Sequence, residues 1–299
     1  MEKFTVTLAD NHQTEVMTFT PDHPIGTVQF LHGMAEHMDR YQDLGQYFKA
    51  RGYKVIMHNH VGHGGLVQDD EKGHFDSMQQ LVQHSAEILE TFKVPDRPVV
   101  LIGHSMGSVV ARRYVTMYPE HFAALILSGT SYFDAKMAAA LQLLRGMIAV
   151  NGKDHKGDFA NKVTLKQFNR KFRPLTTPSD WLSADPEKVQ RFIDDPLTGF
   201  NMSLNAYKEI LKSLKLTQQK RQLKRMNKHM PILLVSGKED AFSNFGKGID
   251  RLGHLYKEAG IEHVTVQLYS HSRHEVLLES NQTEVMERMA RWLEQVSHD

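Results

Sequence analysis

A serine, an acid and a histidine in that chain order can share a proton and attack a carbonyl, and this 299-residue chain carries such a set. Val99 to Ser108 reads VVLIGHSMGS, so Gly103-His104-Ser105-Met106-Gly107 is G-x-S-x-G between an apolar run and a helical one. That context predicts a sharp strand-to-helix turn. Small residues two positions either side of the serine let strand and helix approach. Ser105 then stands above the sheet edge, at the partly positive end of the following helix. The competing reading is a tight turn carrying a surface serine.

A serine hydroxyl is a poor nucleophile until a base takes its proton. The apolar run Ile232 to Val235 leads into Ser-Gly-Lys-Glu-Asp, which offers Glu239 and Asp240. The next, Val264 to Tyr269, leads into Ser-His-Ser-Arg-His-Glu, which offers His271 and His274. His274 is preferred because it reads as opening the last helical stretch, whereas His271 reads as a polar turn residue. A developing oxyanion also needs two fixed donors. Met106, directly after the serine, supplies one backbone N–H. The loop His32-Gly33-Met34-Ala35-Glu36-His37 follows another strand, and Met34 N–H is the second candidate. Gly33 and His104 flank these donors and are the candidate substrate contacts.

The elements that must hold these residues are legible as a rhythm. Phe4–Leu8, Glu15–Phe19, Thr27–Leu31, Lys54–Met57, Pro98–Ile102 and Ala123–Leu127 read as strands. Tyr41–Arg51, Met78–Phe92 and Val109–Tyr118 read as helices between them. The pattern resumes with strands at Ile232–Val235 and Val264–Tyr269, and helices at Gly248–Ala259 and Glu284–Val296. Such alternation predicts a mostly parallel sheet with helices on both faces. Between Tyr132 and Asn227 the rhythm breaks into helical stretches, Ala138–Val150 and Ala206–Leu216, with four prolines and no clear strand. The expected division is a core over 1–131, a helical cap insertion over 132–227 and the rest of the core over 228–299.

Composition excludes other classes. There are 36 basic and 35 acidic residues, a net charge of +1, so no global field attracts nucleic acid. There is no cysteine, hence no disulfide, thiolate metal site or cysteine nucleophile. The N-terminus lacks a long apolar run, and no stretch reaches the roughly 18 apolar residues of a spanning helix. These features lead to the expectation of a cytoplasmic protein, peripheral at a membrane at most. His58, His60 and His63 nearly spell a zinc-hydrolase motif, but glycine stands where that motif has aspartate, and a zinc reading leaves the serine pattern unexplained. The expected cofactor set is empty. The basic run Asn205 to Lys228 reads as the solvated side of a helix, or as a cap face that meets anionic lipid. Met137, Leu141, Leu143, Leu144, Met147 and Ile148 read equally as an acyl-tunnel lining and as the cap's own core.

Taken in order, His32 to His37, Arg40-Tyr41, Gly62-His63-Gly64, Gly103 to Gly107, Gly237 to Asp240 and Arg273-His274-Glu275 resemble the monoacylglycerol lipase and lysophospholipase branch of the α/β-hydrolases. The match spans both core portions, about two-thirds of the chain. The resemblance implies the α/β-hydrolase fold, hydrolysis of single-chain carboxylic esters, a triad of Ser105, Asp240 and His274, and backbone donors at Met34 and Met106. It selects Asp240 over Glu239, because the family places its acid three residues after the glycine. One departure concerns the loop before Gly62: the family has D-x-R-G-H-G, and here Asn59 and Val61 stand in place of the acid and the arginine. The implied partner is a small ester or single-chain lipid. A small-ester carboxylesterase and a non-catalytic binding protein of the same fold are the alternatives.

Overall fold

Strand residues that are apolar at every position must be covered on both sides. In the computed structural model, which describes residues 1–296, they are. The first half runs β1 (Glu2–Thr7), β2 (Gln13–Phe19), β3 (Gly26–Leu31), α1 (Gln42–Lys49), β4 (Tyr53–His58), α2 (Met78–Phe92), β5 (Val99–His104), α3 (Met106–Met117) and β6 (Ala124–Ser128). Five helices follow: α4 (Ala135–Asn151), α5 (Asp158–Phe168), α6 (Pro186–Asp194), α7 (Leu204–Thr217) and α8 (Lys220–Leu223). The chain ends with β7 (Ile232–Gly237), α9 (Lys247–Glu258), β8 (Val264–Tyr269) and α10 (Gln282–Val296).

The eight strands form one sheet in the order β1-β2-β4-β3-β5-β6-β7-β8. β1 and β2, and β2 and β4, pair antiparallel; every other pair is parallel. Alternation along the strands splits the core in two. Val100, Ile102, Leu233 and Val235 pack with Leu44 and Phe48 of α1 and Met286 and Met289 of α10. Leu101, Ile232 and Leu234 turn the other way and pack with residues of α2, α3 and α9. A one-residue slip would send each set to the wrong layer, so the register is strongly specified.

The segment between β6 and β7 has two characters. α7 packs on α3 and α2, and its Ala206, Ile210 and Leu214 are buried in the same core cluster as Leu101 and Val110. α5 has no buried residue at all, and α4 buries only Leu141 and Leu144. Sequence reading missed α5 and α6. α5 has no fully covered apolar stripe to read. α6 was masked by Pro186, which reads as a breaker but sits in the first turn, where proline is tolerated. One further expectation fails: His274 does not open the last helix. α10 begins at Gln282, and His274 lies in the loop after β8.

Candidate active site

The serine turn follows from two close approaches. A Cβ on Gly103 would lie 2.4 Å from the Gly107 carbonyl oxygen, and one on Gly107 would lie 2.1 Å from that of Leu31. Any larger residue at either position would push α3 off β3 and β5. Between them Ser105 has φ 51° and ψ −117°, a backbone that L-residues rarely adopt. The turn places its side chain at the C-terminal edge of the sheet, where open α/β sheets build their sites.

β7 and β8 end on the same edge and deliver the partners. His274 Nε2 lies 2.8 Å from Ser105 Oγ. His274 Nδ1 lies 3.0 Å from Asp240 Oδ1. Asp240 is fully buried. It accepts two more hydrogen bonds, from Ser236 Oγ at 2.9 Å and from Phe242 N–H at 2.9 Å. Burial alone would raise the Asp240 carboxyl, but the His274 charge and these donors more than offset it and hold the group below its usual range. Burial likewise pushes the His274 imidazole down, while Asp240, Glu275 and Glu36 push it up, and the net effect is upward. The rivals lie elsewhere. The His271 side chain is 93% exposed and that of Glu239 is 42% exposed, 3.9 Å apart.

Met34 and Met106 border the larger of two cavities that meet at Ser105. That cavity is about 240 Å³. It is lined by Met137, Leu143, Leu144 and Met147 of α4 and Phe159 and Val163 of α5, among others. Four of the six apolar residues singled out in the α4 stretch therefore face it; Leu144 does so while also being buried. The smaller cavity, about 80 Å³, lies on the other side of the hydroxyl and is bordered by Gly33, His104, Asn161 and Phe200. Trp181, Tyr207 and His274 border both. His104 itself is buried, 3.2 Å from Ser128 Oγ, with its ring centroid 5.0 Å from that of His274. Burial and the neighbouring His274 push it down to about 3, so it is a neutral packing surface for the base. Gly33 N–H donates to Glu36 Oε1 at 2.5 Å.

The Glu36 contact belongs to a network that residue spacing does not reveal. Glu36 also accepts from Tyr41 Oη at 2.9 Å and from Arg40 Nη1 at 2.5 Å. Arg40 in turn grips Glu275 through both terminal nitrogens, at 2.6 and 2.8 Å. One guanidinium thus joins the loop of Met34 to the loop of His274. Bidentate, charge-assisted contacts of this kind fix orientation as well as distance.

The histidine-rich loop after β4 has its own structural logic. His63 Nε2 accepts the Ala35 N–H at 3.1 Å while Nδ1 lies 2.9 Å from the Val61 carbonyl oxygen. His32 Nε2 accepts from His60 N–H at 3.0 Å, and its Nδ1 lies 2.8 Å from the Gly33 carbonyl oxygen. Both rings therefore spend their lone pairs on backbone donors. Asn59 takes over the acid's place in this loop. Its Oδ1 accepts from Met38 N–H at 3.0 Å, and its Nδ2 donates to Glu15 at 3.0 Å.

Residues 22–281 match the family model described as serine aminopeptidase, S33. The chain belongs to that family. Its S33 membership makes it a serine hydrolase. A monoacylglycerol lipase of Mycolicibacterium smegmatis is 27% identical over 287 residues, which are 94% of this chain and 91% of that one. Phospholipase YtpA of Bacillus subtilis is 26% identical over 199 residues, 66% of this chain and 70% of its own. Among solved structures, a thermostable carboxyl esterase from Bacillus coagulans superposes with a TM-score of 0.88 at 24% identity, covering 99% of this chain and 98% of that one. The fold is that of the α/β-hydrolases. No helix among the described residues is long and apolar enough to cross a membrane.

Proposed function

We propose that this S33 chain hydrolyses carboxylic esters of single-chain lipids through an acyl-enzyme. The observation that carries the reading is the series Ser105–His274–Asp240, hydrogen-bonded end to end at the floor of an apolar cavity. Names of relatives support the substrate class: one is a monoacylglycerol lipase and one a phospholipase.

Each group has a task that its surroundings suit. The acyl chain enters the larger cavity, where apolar burial is worth about 0.8 kcal/mol per CH₂. The alcohol portion faces the smaller one. His274 Nε2 removes the Ser105 Oγ proton as Oγ attacks the ester carbonyl. The carbonyl electron pair moves onto oxygen, against the backbone N–H groups of Met106 and Met34. Asp240 holds the ring in the tautomer with the proton on Nδ1 and stabilises the imidazolium. The carbonyl then re-forms, the C–O bond to the alcohol breaks, and the Nε2 proton goes to the departing oxygen. Water repeats the sequence and frees the acid. No step draws on a cofactor.

The inserted segment 132–227 serves in this reading as a cap. Leu143 and Phe159, which border the acyl cavity, are 55% and 59% exposed. Apolar residues at the mouth of a lipid site support transient contact of the cap with a lipid surface. Phe159→Asp is expected to lower kcat/KM for a C12 monoacylglycerol about tenfold and to leave p-nitrophenyl butyrate within about twofold, because only the long chain reaches α5. Equal loss on both esters would count against the assignment of this cavity to the acyl chain.

Two assays test the function itself. A fluorophosphonate should label the chain once, at Ser105, as a binding protein would not. A panel of p-nitrophenyl esters of rising length, with monoacylglycerol and lysophosphatidylcholine, should show turnover rising with chain length. A chain that stays unlabelled and turns over none of these esters is not an esterase.

A further inference from the structure

His274 sits in a loop that one buried carboxylate closes. Glu279 is 3% exposed. Its Oε1 accepts the Arg273 N–H at 2.8 Å, so a hydrogen bond spans residues 273 to 279 with His274 inside the ring. The same oxygen accepts the Ala184 N–H at 2.9 Å, and Oε2 accepts from Ser183 Oγ at 2.5 Å. Ser183 and Ala184 belong to the inserted segment, not to the core. Further bonds run between the same two stretches. Glu275 N–H donates to the Leu182 carbonyl at 2.8 Å. Arg273 Nη1 donates to the carbonyl oxygens of Asp180 and Ser183.

The bonds flank Trp181. Its indole lies against the base, with ring centroids 4.8 Å apart and planes tilted by 34°. It borders both cavities where they meet at Ser105. Removing a carboxylate from water costs several kcal/mol, and among the described residues no cation forms an ion pair with Glu279. Three donors are what keep it there. A neutral side chain would fill this place at lower cost if only packing were needed.

We propose that Glu279 is a positioning residue for the general base: it closes the His274 loop and fastens it to the cap segment that lays Trp181 on the imidazole. This rests on the triad reading above. The Arg40 grip holds the same loop through Glu275. Glu279 therefore couples the seating of the cap to the aim of the base.

The test uses the protein's own reporter. The chain has two tryptophans, Trp181 and Trp292. In a Trp292→Phe background Trp181 is the one indole left to emit, and an imidazolium in contact quenches indole emission. Its fluorescence should therefore titrate together with the acidic limb of the activity profile. In that background Glu279→Gln is expected to lower kcat about 10- to 100-fold, the scale of a small misplacement of a catalytic group. KM for p-nitrophenyl butyrate should stay within about threefold, and the quenching amplitude should fall by half or more. Ser183→Ala, which removes one donor and keeps the carboxylate, should lower kcat about 3- to 10-fold with a parallel, smaller loss of quenching. The proposal is overturned if folded Glu279→Gln keeps both kcat and quenching within about twofold of the parent. If that variant does not fold, unchanged kcat and quenching in Ser183→Ala overturn it instead. Phosphonate labelling run alongside separates the two claims. An unlabelled parent sinks both, whereas a labelled parent with an indifferent Glu279→Gln sinks only this one.

Discussion

Ser105→Ala is expected to lower kcat by about 10⁴- to 10⁶-fold while leaving the fold intact. The size follows from what is removed. Without Oγ no acyl-enzyme forms, and what remains is orientation and oxyanion stabilisation of a direct attack by water. The survival of the fold follows from the geometry of the turn. Ser105 keeps φ at 51° because Gly103 and Gly107 let β3, β5 and α3 close around it, and alanine meets the same backbone strain as serine. Among the described residues its hydroxyl has a single side-chain partner, His274. Thermal melting of the variant should match the parent within a few degrees, since one hydrogen bond of about 1 kcal/mol is lost. Turnover within tenfold of the parent would remove the nucleophile from the mechanism.

Acid should unfold the protein at a milder pH than its carboxylates alone dictate. Five histidines, His32, His58, His60, His63 and His104, are buried as neutral rings. Burial is the largest cause in each case, and it pushes His63 down to about 4 and His58 and His104 to about 3. In the unfolded chain all five titrate near 6.5. The stability they contribute is therefore complete above about pH 6.5. It drains away as pH falls from there toward 4, because the unfolded state takes up protons that the folded state refuses. His37 and His274 are shifted upward, so their stabilisation is complete below pH 6.5 and adds nothing to the slope there. Below that pH the unfolded chain therefore binds up to about five protons more than the folded one. Each is worth about 1.4 kcal/mol per pH unit, so stability should fall by up to about 7 kcal/mol per unit below pH 6. Against the 5–15 kcal/mol typical of a domain, that brings the acid midpoint to roughly pH 4 to 5.5. Urea melts followed by circular dichroism at pH 7, 6 and 5 measure the slope directly. A free energy that stays flat over this range would show that the rings are hydrated and charged in the folded state. His60 is the most exposed to this test, since neither of its ring nitrogens has a partner among the described residues.

What could be read from the sequence was what local physics writes locally. The G-x-S-x-G turn needs its two glycines within a few residues of the serine, so pattern and geometry coincide. The strand rhythm was legible for the same reason, since each strand carries its own apolar code. Helix α5 was not, because none of its residues is buried and no stripe marks it. The loop of His274 reads as a helix start because polar residues precede an apolar stretch there, and the structure brings the residue within 3.0 Å of Asp240 and 2.8 Å of Ser105. The Glu36–Arg40–Glu275 bridge and the Glu279 contacts join positions up to 235 residues apart. No periodicity carries such information. Trp181 was likewise unmarked, since only the folded segment brings it onto His274.

The burial of α7 bears on how this architecture tolerates exchange of parts. Ala206, Ile210 and Leu214 belong to the same interior as the sheet, and α7 lies along α3 and α2. A chimera that swapped the whole stretch between β6 and β7 would tear out part of the domain's interior wall along with its roof. Transplants of substrate preference from one homologue to another should stop at Ser203, leave α7 in place and keep Asp180 to Ala184, because that stretch is bonded to the His274 loop and α7 to the layer beneath it.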